Sequence, residues 1–372
     1  MRWLFWGSVG IIAYAYLGYV AWLYLRGIWR PWPVRRAPFS PFVSIVMVVR
    51  NEEAVLREKL SNLLQIDYPL ELLEIIVVSD GSEDRTEQIL QEHTSSGQVR
   101  IIANPVQRGK AACLNDAMEI AQGELVIFTD ARQLIEPNAL RLLAENFADQ
   151  DVGCVSGQLM LGDIRNGESA TGPGLYWKIE KQIRTLESIS GSVVGATGAL
   201  YAARKANIVS IPAGTILDDV YLPMHVVKQG KRVLFDARAN AWDNPDLGTE
   251  REFARKVRTL TGNYQLLQLA PWLLSSRNHI RFEFISHKLM RLLVPFALIA
   301  TLVSSLVLKG SLYRVALFVQ IALYAFSLLS MLRVRGPLAR AADGAFTFVM
   351  LNAAALVAFG NFVFSRKAAW SR

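Results

Sequence analysis

Three carboxylate stations organise this sequence: Asp80, Asp130 and the pair Asp218-Asp219. Asp80 follows the apolar run Ile75-Ile76-Val77-Val78-Ser79. Asp130 follows Leu125-Val126-Ile127-Phe128-Thr129. An acidic residue at the end of a buried strand is where an α/β fold presents a group to a nucleotide or a metal ion. Asp130 is a hard oxygen ligand for a divalent cation bridging a diphosphate. Arg132, two residues on, offers a guanidinium that offsets phosphate charge directly. Gly109-Lys110 opens a helix, and amide dipoles together with an ammonium suit a phosphate. This is not a P-loop, because Asn104 and Ala111 stand where that motif needs glycine and lysine-flanking hydroxyl positions. Adjacent Asp218 and Asp219 repel, which raises the pKa of one and fits it to remove a proton from a hydroxyl. Each acidic site also has a plainer reading as a helix or turn cap.

These groups need a frame, and the sequence spells one out. Val43 to Val49, Glu74 to Ser79, Val99 to Ala103, Leu125 to Thr129 and Val152 to Gly157 read as strands. Helical patterns run from Glu52 to Gln65, Asp84 to Glu92, Lys110 to Ala121 and Pro137 to Phe147. Ser82 or Asp84 is the N-cap of the second of these. The alternation predicts an α/β domain with a mostly parallel central sheet and helices on both faces. Asn51-Glu52 and Asp80-Gly81-Ser82 then fall at neighbouring strand ends, and Gly81 permits the tight turn that lets Asp80 reach a base or ribose. Further on, Trp177 to Ile189 reads as an amphipathic helix with Lys178, Lys181 and Arg184 exposed, and Asp219 to Gln229 as a helix.

The 372 residues are 52% hydrophobic with a net charge of +8, and the mean hydropathy is +0.25. That is too apolar for an ordinary soluble domain and too charged for a wholly membrane-embedded one. Residues 3–25 carry no charge and are followed by Arg26, Arg30, Arg35 and Arg36. A run of this length spans a bilayer, and the basic cluster puts the following domain in the cytoplasm. Apolar stretches near 292–308, 315–332 and 345–365 make three further spans. Four spans place the basic tail Arg366, Lys367 and Arg372 on the far side, against the positive-inside rule, while Arg333, Arg335 and Arg340 favour the cytoplasm. The positive charge lies beside apolar spans, which suits membrane lipids and anionic substrates rather than nucleic acid. Cys113 and Cys154 sit in apolar stretches and read as buried free thiols, and the four histidines lack zinc spacing.

The expected organisation is a transmembrane helix over 1–28, an interfacial linker over 29–41, the α/β domain over 42–249, a basic amphipathic segment over 250–290 and a membrane region over 291–372.

The order Asn51-Glu52, Asp80-Gly81-Ser82, Gly109-Lys110, Asp130, Gly198, Asp218-Asp219 and an arginine-rich helix resembles the membrane-embedded family 2 glycosyltransferases. That group contains the cellulose, chitin, hyaluronan and poly-N-acetylglucosamine synthases. The resemblance covers roughly residues 42–265. It implies a GT-A fold, a nucleotide-diphosphate sugar donor, a UDP-sugar first among them, and inversion at the anomeric carbon. It further implies a bacterial plasma membrane and a lipid-linked or glycan acceptor. By position, Asn51, Glu52 and Asp80 match donor-side residues, Lys110 a diphosphate-side lysine, and Asp130 the first aspartate of the DxD motif that holds Mg²⁺ or Mn²⁺. Asp219 matches the catalytic base, Gly198 an acceptor-side glycine, and Arg255-Lys256-Val257-Arg258-Thr259 the Gln-x-x-Arg-Trp motif. Arg132 stands where the family has the second DxD aspartate, and Thr259 where it has the acceptor-framing tryptophan. Trp177, Trp242 and Tyr264 are the aromatic residues able to replace that tryptophan. A single-addition enzyme, a processive exporting synthase and a catalytically degenerate partner subunit all remain open at this point.

Overall fold

The computed structural model describes residues 1–93, 99–164, 168–169, 175–243, 249–332 and 336–364. Arg333, Arg335, Arg366, Lys367 and Arg372 therefore lie outside the described residues.

Among the described residues nine strands form one sheet: β1 Val43–Val49, β2 Leu73–Asp80, β3 Val99–Asn104, β4 Leu125–Thr129, β5 Leu134–Ile135, β6 Val152–Asp163, β7 Glu168–Ser169, β8 Tyr201–Arg204 and β9 Arg232–Asp243. The order is β3-β2-β1-β4-β8-β6-β9-β5, with β7 paired to β6. β1 runs parallel to β2 and β4, β2 to β3, and β6 to β9. The short β8 runs antiparallel to both β4 and β6. This is the mostly parallel sheet that the strand pattern implied.

Both faces are covered, and the strands alternate between two cores. Val43, Ile45, Met47 and Val49 of β1 face one core with Ile75 and Val77 of β2. Val46, Ile76 and Val78 face the other. Period-two alternation with apolar residues on both sides is what a doubly covered parallel sheet demands. The first helix runs Leu56–Leu64 rather than from Glu52, because residues 50–55 form the loop that turns out of β1. Asp84 caps the Thr86–His93 helix, its Oδ1 accepting from the Thr86 amide at 2.9 Å.

Among the described residues four helices are long and apolar enough to cross a membrane: Arg2–Trp29, Arg281–Val307, Ser311–Ser330 and Leu338–Val363. The second begins ten residues inside the stretch expected to be interfacial, so that stretch divides into a Thr249–Leu269 helix, a Pro271–Leu274 turn and the head of a membrane helix. Large apolar side chains such as Phe318, Val315 and Leu306 point outwards from these helices, as a lipid-facing surface requires. The first and second spans each contain a π-helical turn, Tyr14–Gly18 and Ile285–Leu289. The turns meet, with Tyr14 Oη 2.7 Å from Ser286 Oγ.

The linker after the first span is bound to the domain. The Trp32 amide donates to Ile189 O at 2.8 Å, and the Arg232 guanidinium lies 4.2 Å from the centre of the Trp32 ring. Arg232 is almost fully buried and also donates to Trp32 O and Ser188 O at 2.7 and 3.0 Å. A buried guanidinium requires such partners.

Candidate active site

The carboxyl ends of β1, β2 and β4 lie side by side and deliver Asn51, Asp80 and Asp130 to one edge of the sheet. Because β8 is antiparallel to β4, its entry loop returns to the same edge, and Thr129 Oγ1 donates to Ala199 O at 2.9 Å. That loop carries Gly198. The Asp218–Lys228 helix starts there with Asp218 and Asp219 in its first turn, where the helix dipole favours negative charge.

Lys110 joins these carboxylates. Its Nζ lies 2.8 Å from Asp130 Oδ1 and 3.4 Å from Asp218 Oδ2. The neighbouring carboxylates raise its pKa despite burial, so it remains a cation. The Gly198 amide donates to Asp219 Oδ2 at 3.0 Å. A Cβ at position 198 would stand 3.3 Å from Asp130 Oδ2, 3.5 Å from Asp219 Oδ2 and 3.9 Å from Lys110 Nζ. Gly198 is thus the floor against which three charged groups converge. Burial, and then the Asp218 charge, push the Asp219 carboxyl up to about 6, while Lys110 and Lys288 oppose the shift. A carboxylate so tuned serves as a general base near neutral pH.

Asp80 sits differently from the sequence expectation. Its carboxylate is buried and accepts from the amides of Arg108 at 2.6 Å and Gly109 at 2.9 Å. It holds the loop that presents Lys110 instead of projecting freely. Gly81 has φ of +63°, and a Cβ there would lie 2.6 Å from the Gln107 amide nitrogen, so the turn requires glycine. Asn51 takes φ of +54°, and its side-chain oxygen accepts from the Glu83 amide at 2.8 Å. The Glu52 amide donates to Thr86 Oγ1 at 2.9 Å. The loops after β1 and β2 therefore brace each other.

Arg132 turns towards Glu52, with Nε 3.5 Å from its carboxylate, and is half exposed. Burial raises the Glu52 pKa, and Arg132 works against that shift. Arg255 reaches Asp243 at 4.0 Å, and Asp243 accepts from Gln133 Nε2 at 3.0 Å, which ties the arginine-rich helix to the turn after Asp130. Arg258 is half-buried on the same helix. One turn further, a Cβ on Gly262 would lie 2.6 Å from Leu217 Cγ, so this helix packs directly against the segment leading into Asp218.

Thr259 is exposed, and its Oγ1 donates back to Arg255 O at 3.0 Å. Tyr264 stacks on Phe362 of the last membrane helix at 5.4 Å, and Trp242 is buried with Nε1 donating to Glu136 at 2.8 Å. Of the three aromatic candidates, Trp177 lies beside the arginine-rich helix, with Lys256 Nζ 5.1 Å from its ring centre.

Two groups escaped sequence reasoning. Lys59 is fully buried under the Asp130 turn and donates to Thr129 Oγ1 at 2.9 Å and to Gln133 O. Burial lowers its pKa to about 7. Its signal was its place on the core stripe Leu56, Lys59, Leu60, Leu63. Arg184, expected to be exposed, is instead tucked in. It donates to Ala196 O at 3.0 Å and lies 3.6 Å from Glu180, and the Ala196 amide donates to Asp219 O at 2.7 Å. The Leu175–Ser190 helix has a second packed face, which turns Arg184 inwards. Cys113 and Cys154 are free and buried, as expected.

A divalent cation finds limited support from the protein alone. Asp130 is the carboxylate at the β4 end, Arg132 lies on Glu52, and among the described residues no group of three His, Cys, Asp or Glu side chains could hold a metal. The donor set fits a cation that arrives with a diphosphate and takes one protein carboxylate, not a preformed cage.

Residues 44–206 match the family described as Glycosyl transferase family 2. The chain is 25% identical over 237 residues to a poly-beta-1,6-N-acetyl-D-glucosamine synthase of Staphylococcus epidermidis, covering 62% of this chain and 56% of that protein. It is 24% identical over 232 residues to the synthase of the same name from Staphylococcus aureus strain COL, covering 60% and 55%. The chain thus spans little more than half the length of these curated relatives. Among solved structures it resembles the mannosyltransferase PcManGT of Pyrobaculum calidifontis, solved in complex with GDP-Man and Mn²⁺, with a TM-score of 0.75 at 19% identity over 98% of this chain and 99% of that one. That likeness shows the fold, membrane-length helices included. The family match thus falls on residues 44–206, and the fold of the chain is GT-A-like.

Proposed function

We propose that the protein is an inverting glycosyltransferase at the cytoplasmic face of a bacterial plasma membrane, transferring a sugar from a nucleotide diphosphate to a lipid-linked or glycan acceptor. The observation that carries this is the convergence of Lys110, Asp130 and Asp219 on Gly198. Asp219 takes the proton of the acceptor hydroxyl. The acceptor oxygen forms its bond to the anomeric carbon as the bond to the diphosphate oxygen breaks, and the electron pair leaves with the nucleoside diphosphate. Lys110 meets the charge that develops on that diphosphate, with Arg258 supplying a second cation from the arginine-rich helix. Asp80, Asn51 and Glu52 shape the donor side through the braced loops they hold. Asp130 would hold Mg²⁺ or Mn²⁺, which supplies charge neutralisation on the diphosphate.

The poly-N-acetylglucosamine synthases among the relatives favour a second reading, a processive synthase. Thr259, exposed and bonded to its own helix, favours one or a few additions instead, since no aromatic platform stands at that position. The convergence of Lys110, Asp130 and Asp219 on Gly198 weighs against a catalytically degenerate subunit. The test is nucleotide release by the purified protein in nanodiscs, screened first with UDP- and GDP-linked sugars. Release dependent on one donor and an added acceptor is expected. No release with any donor would remove the transferase reading.

A further inference from the structure

The loop that meets Asp219 is clamped from behind by a helix that carries no donor-side residue. Ala196 and Gly198 both touch Asp219: the Ala196 amide donates to its backbone oxygen at 2.7 Å, and the Gly198 amide to its Oδ2 at 3.0 Å. The amide between them, on Thr197, turns the other way and donates to Ser156 Oγ at 3.1 Å. Ser156 is buried on β6, and its hydroxyl donates to Gly157 O at 3.0 Å. Gly195 enters the loop with φ of +89°, where a Cβ would lie 2.9 Å from Val220 Cγ2. The loop is therefore pressed against the first turn of the helix that bears the base.

Arg184, on the Leu175–Ser190 helix, reaches both outer anchors of this loop. Its Nη2 donates to Ala196 O at 3.0 Å and its Nη1 to Ser156 Oγ at 3.3 Å, while Nε faces Glu180 at 3.6 Å. A planar guanidinium with partners on each nitrogen is held in one orientation. That orientation is tied to the membrane side. Glu180 also receives Arg291 at 2.7 Å and His287 Nε2 at 3.1 Å, both from the head of the second membrane helix. Glu187, one turn beyond Arg184, is fully buried. Its Oε1 accepts from the Tyr19 hydroxyl at 2.6 Å and lies 2.9 Å from His287 Nδ1, and its Oε2 accepts from the Val194 amide at 3.4 Å. A guanidinium is a costly way to fill space, because each nitrogen needs a partner when buried. Here both of its hydrogen bonds end on the loop or on the hydroxyl that holds the loop.

We propose that Arg184 is a positioning residue for the base: through Ala196 O and Ser156 Oγ it sets the loop whose amides orient Asp219, and through Glu180 it ties that loop to the second membrane helix. This deepens the glycosyltransferase reading and rests on it. Arg184 touches no reacting atom. It keeps the Asp219 carboxylate aimed at the acceptor hydroxyl, so it contributes to turnover and not to donor affinity.

The experiment uses the full chain in nanodiscs, measuring transfer with radiolabelled donor and donor binding separately. Arg184→Gln should lower kcat by about 10- to 100-fold, the cost of a misplaced reacting group, with the donor dissociation constant within about twofold of wild type. Arg184→Lys, which keeps a donor for Ala196 O, should recover part of the loss. Ser156→Ala removes one neutral hydrogen bond from the same clamp and should lower kcat by about threefold to tenfold; it decides the question if Arg184→Gln does not fold. The same two substitutions are then made in Asp219→Asn. Groups that act through one residue are not additive, so each should change the residual rate there by no more than about twofold. An unchanged kcat, a loss of donor binding that accounts for the rate, or an equal factor in both backgrounds would overturn the proposal. Any of these results with an active wild type breaks this inference alone; absence of nucleotide release by the wild type with any donor breaks the transferase reading beneath it.

Discussion

The backbone amide of Gly198 donates to Asp219 Oδ2 across 3.0 Å, and a Cβ at position 198 would touch that oxygen and crowd Asp130 Oδ2. A loop from the start of β8 therefore fixes the orientation of a carboxylate on a helix twenty-one residues later. The prediction is that Gly198→Ala folds but loses activity. The added Cβ would stand 3.3 Å from Asp130 Oδ2 and in contact with Asp219 Oδ2 at 3.5 Å, so the Asp130 carboxylate must shift by a few tenths of an ångström beside the base. Small misplacements of reacting groups cost from about tenfold to 10²-fold. Initial-rate kinetics and thermal unfolding together check this: unchanged melting with a rate loss of about tenfold or more is expected.

The pH profile should follow Asp219. Its pKa is raised to about 6 by burial and by the Asp218 charge. Only the ionised form accepts a proton, so activity is lost as pH falls through 6 and is level above it. At pH 5 the rate should be about a tenth of the plateau, by simple titration of one group. Lys110→Met removes a charge that lowers this pKa, and the acidic limb should move to higher pH in whatever activity remains. A limb that stays in place would separate the profile from Asp219.

Lys59 predicts a stability signature. Its pKa falls to about 7 on burial, against an unfolded value near 10.4. Between these values the unfolded chain binds the extra proton, so this lysine's contribution makes stability rise with pH from 7 towards 10. Lys59→Met should flatten that rise. It also removes the hydrogen bonds to Thr129 and Gln133 that hold the Asp130 turn, so transfer should fall about tenfold. Melting curves at pH 7 and pH 9 for both proteins provide the measurement. An identical pH slope in the two would contradict the buried-lysine account.

Much of this frame was legible in the sequence because parallel strands buried on both faces appear as unbroken apolar runs. β1, β2 and β4 and the acidic or polar residues at their ends could be placed that way. Asp130 and Asp218-Asp219 were found because carboxylates at strand ends and helix starts stand out. Arg184 and Lys59 were not, because a lone charge in a helical pattern reads as a solvated face. Only the three-dimensional packing turns the Arg184 face of its helix inwards. Lys59 did carry a signal, since it falls between Leu56 and Leu60 on the apolar stripe. The second long apolar helix starts at Arg281, inside the basic stretch that Arg281, Lys288 and Arg291 marked as interfacial, and Glu283 and His287 in its first turns are buried. No sequence pattern shows that the Asp80 carboxylate also accepts from the Arg108 and Gly109 amides.

The cation requirement makes a further prediction. With Asp130 as one protein ligand and Arg132 turned to Glu52, transfer should stop in excess EDTA and return with Mg²⁺ or Mn²⁺, half-saturating at a high concentration for want of a second carboxylate. Arg132→Asp should tighten that requirement, read as manganese binding by electron paramagnetic resonance in the presence of nucleoside diphosphate. Full activity in EDTA would mean that Lys110 and Arg132 neutralise the diphosphate without a metal.

The most direct test of the central claim is the Asp219→Asn variant, measured for transfer and for donor binding in parallel. The substitution is nearly isosteric and keeps an oxygen for the Gly198 amide. If Asp219 is the base, the transfer rate falls by about 10² to 10⁴, while the dissociation constant for the donor nucleotide stays within a few-fold of wild type. Transfer within a few-fold of wild type would contradict the account and move the base elsewhere, with Asp218 the next residue to examine.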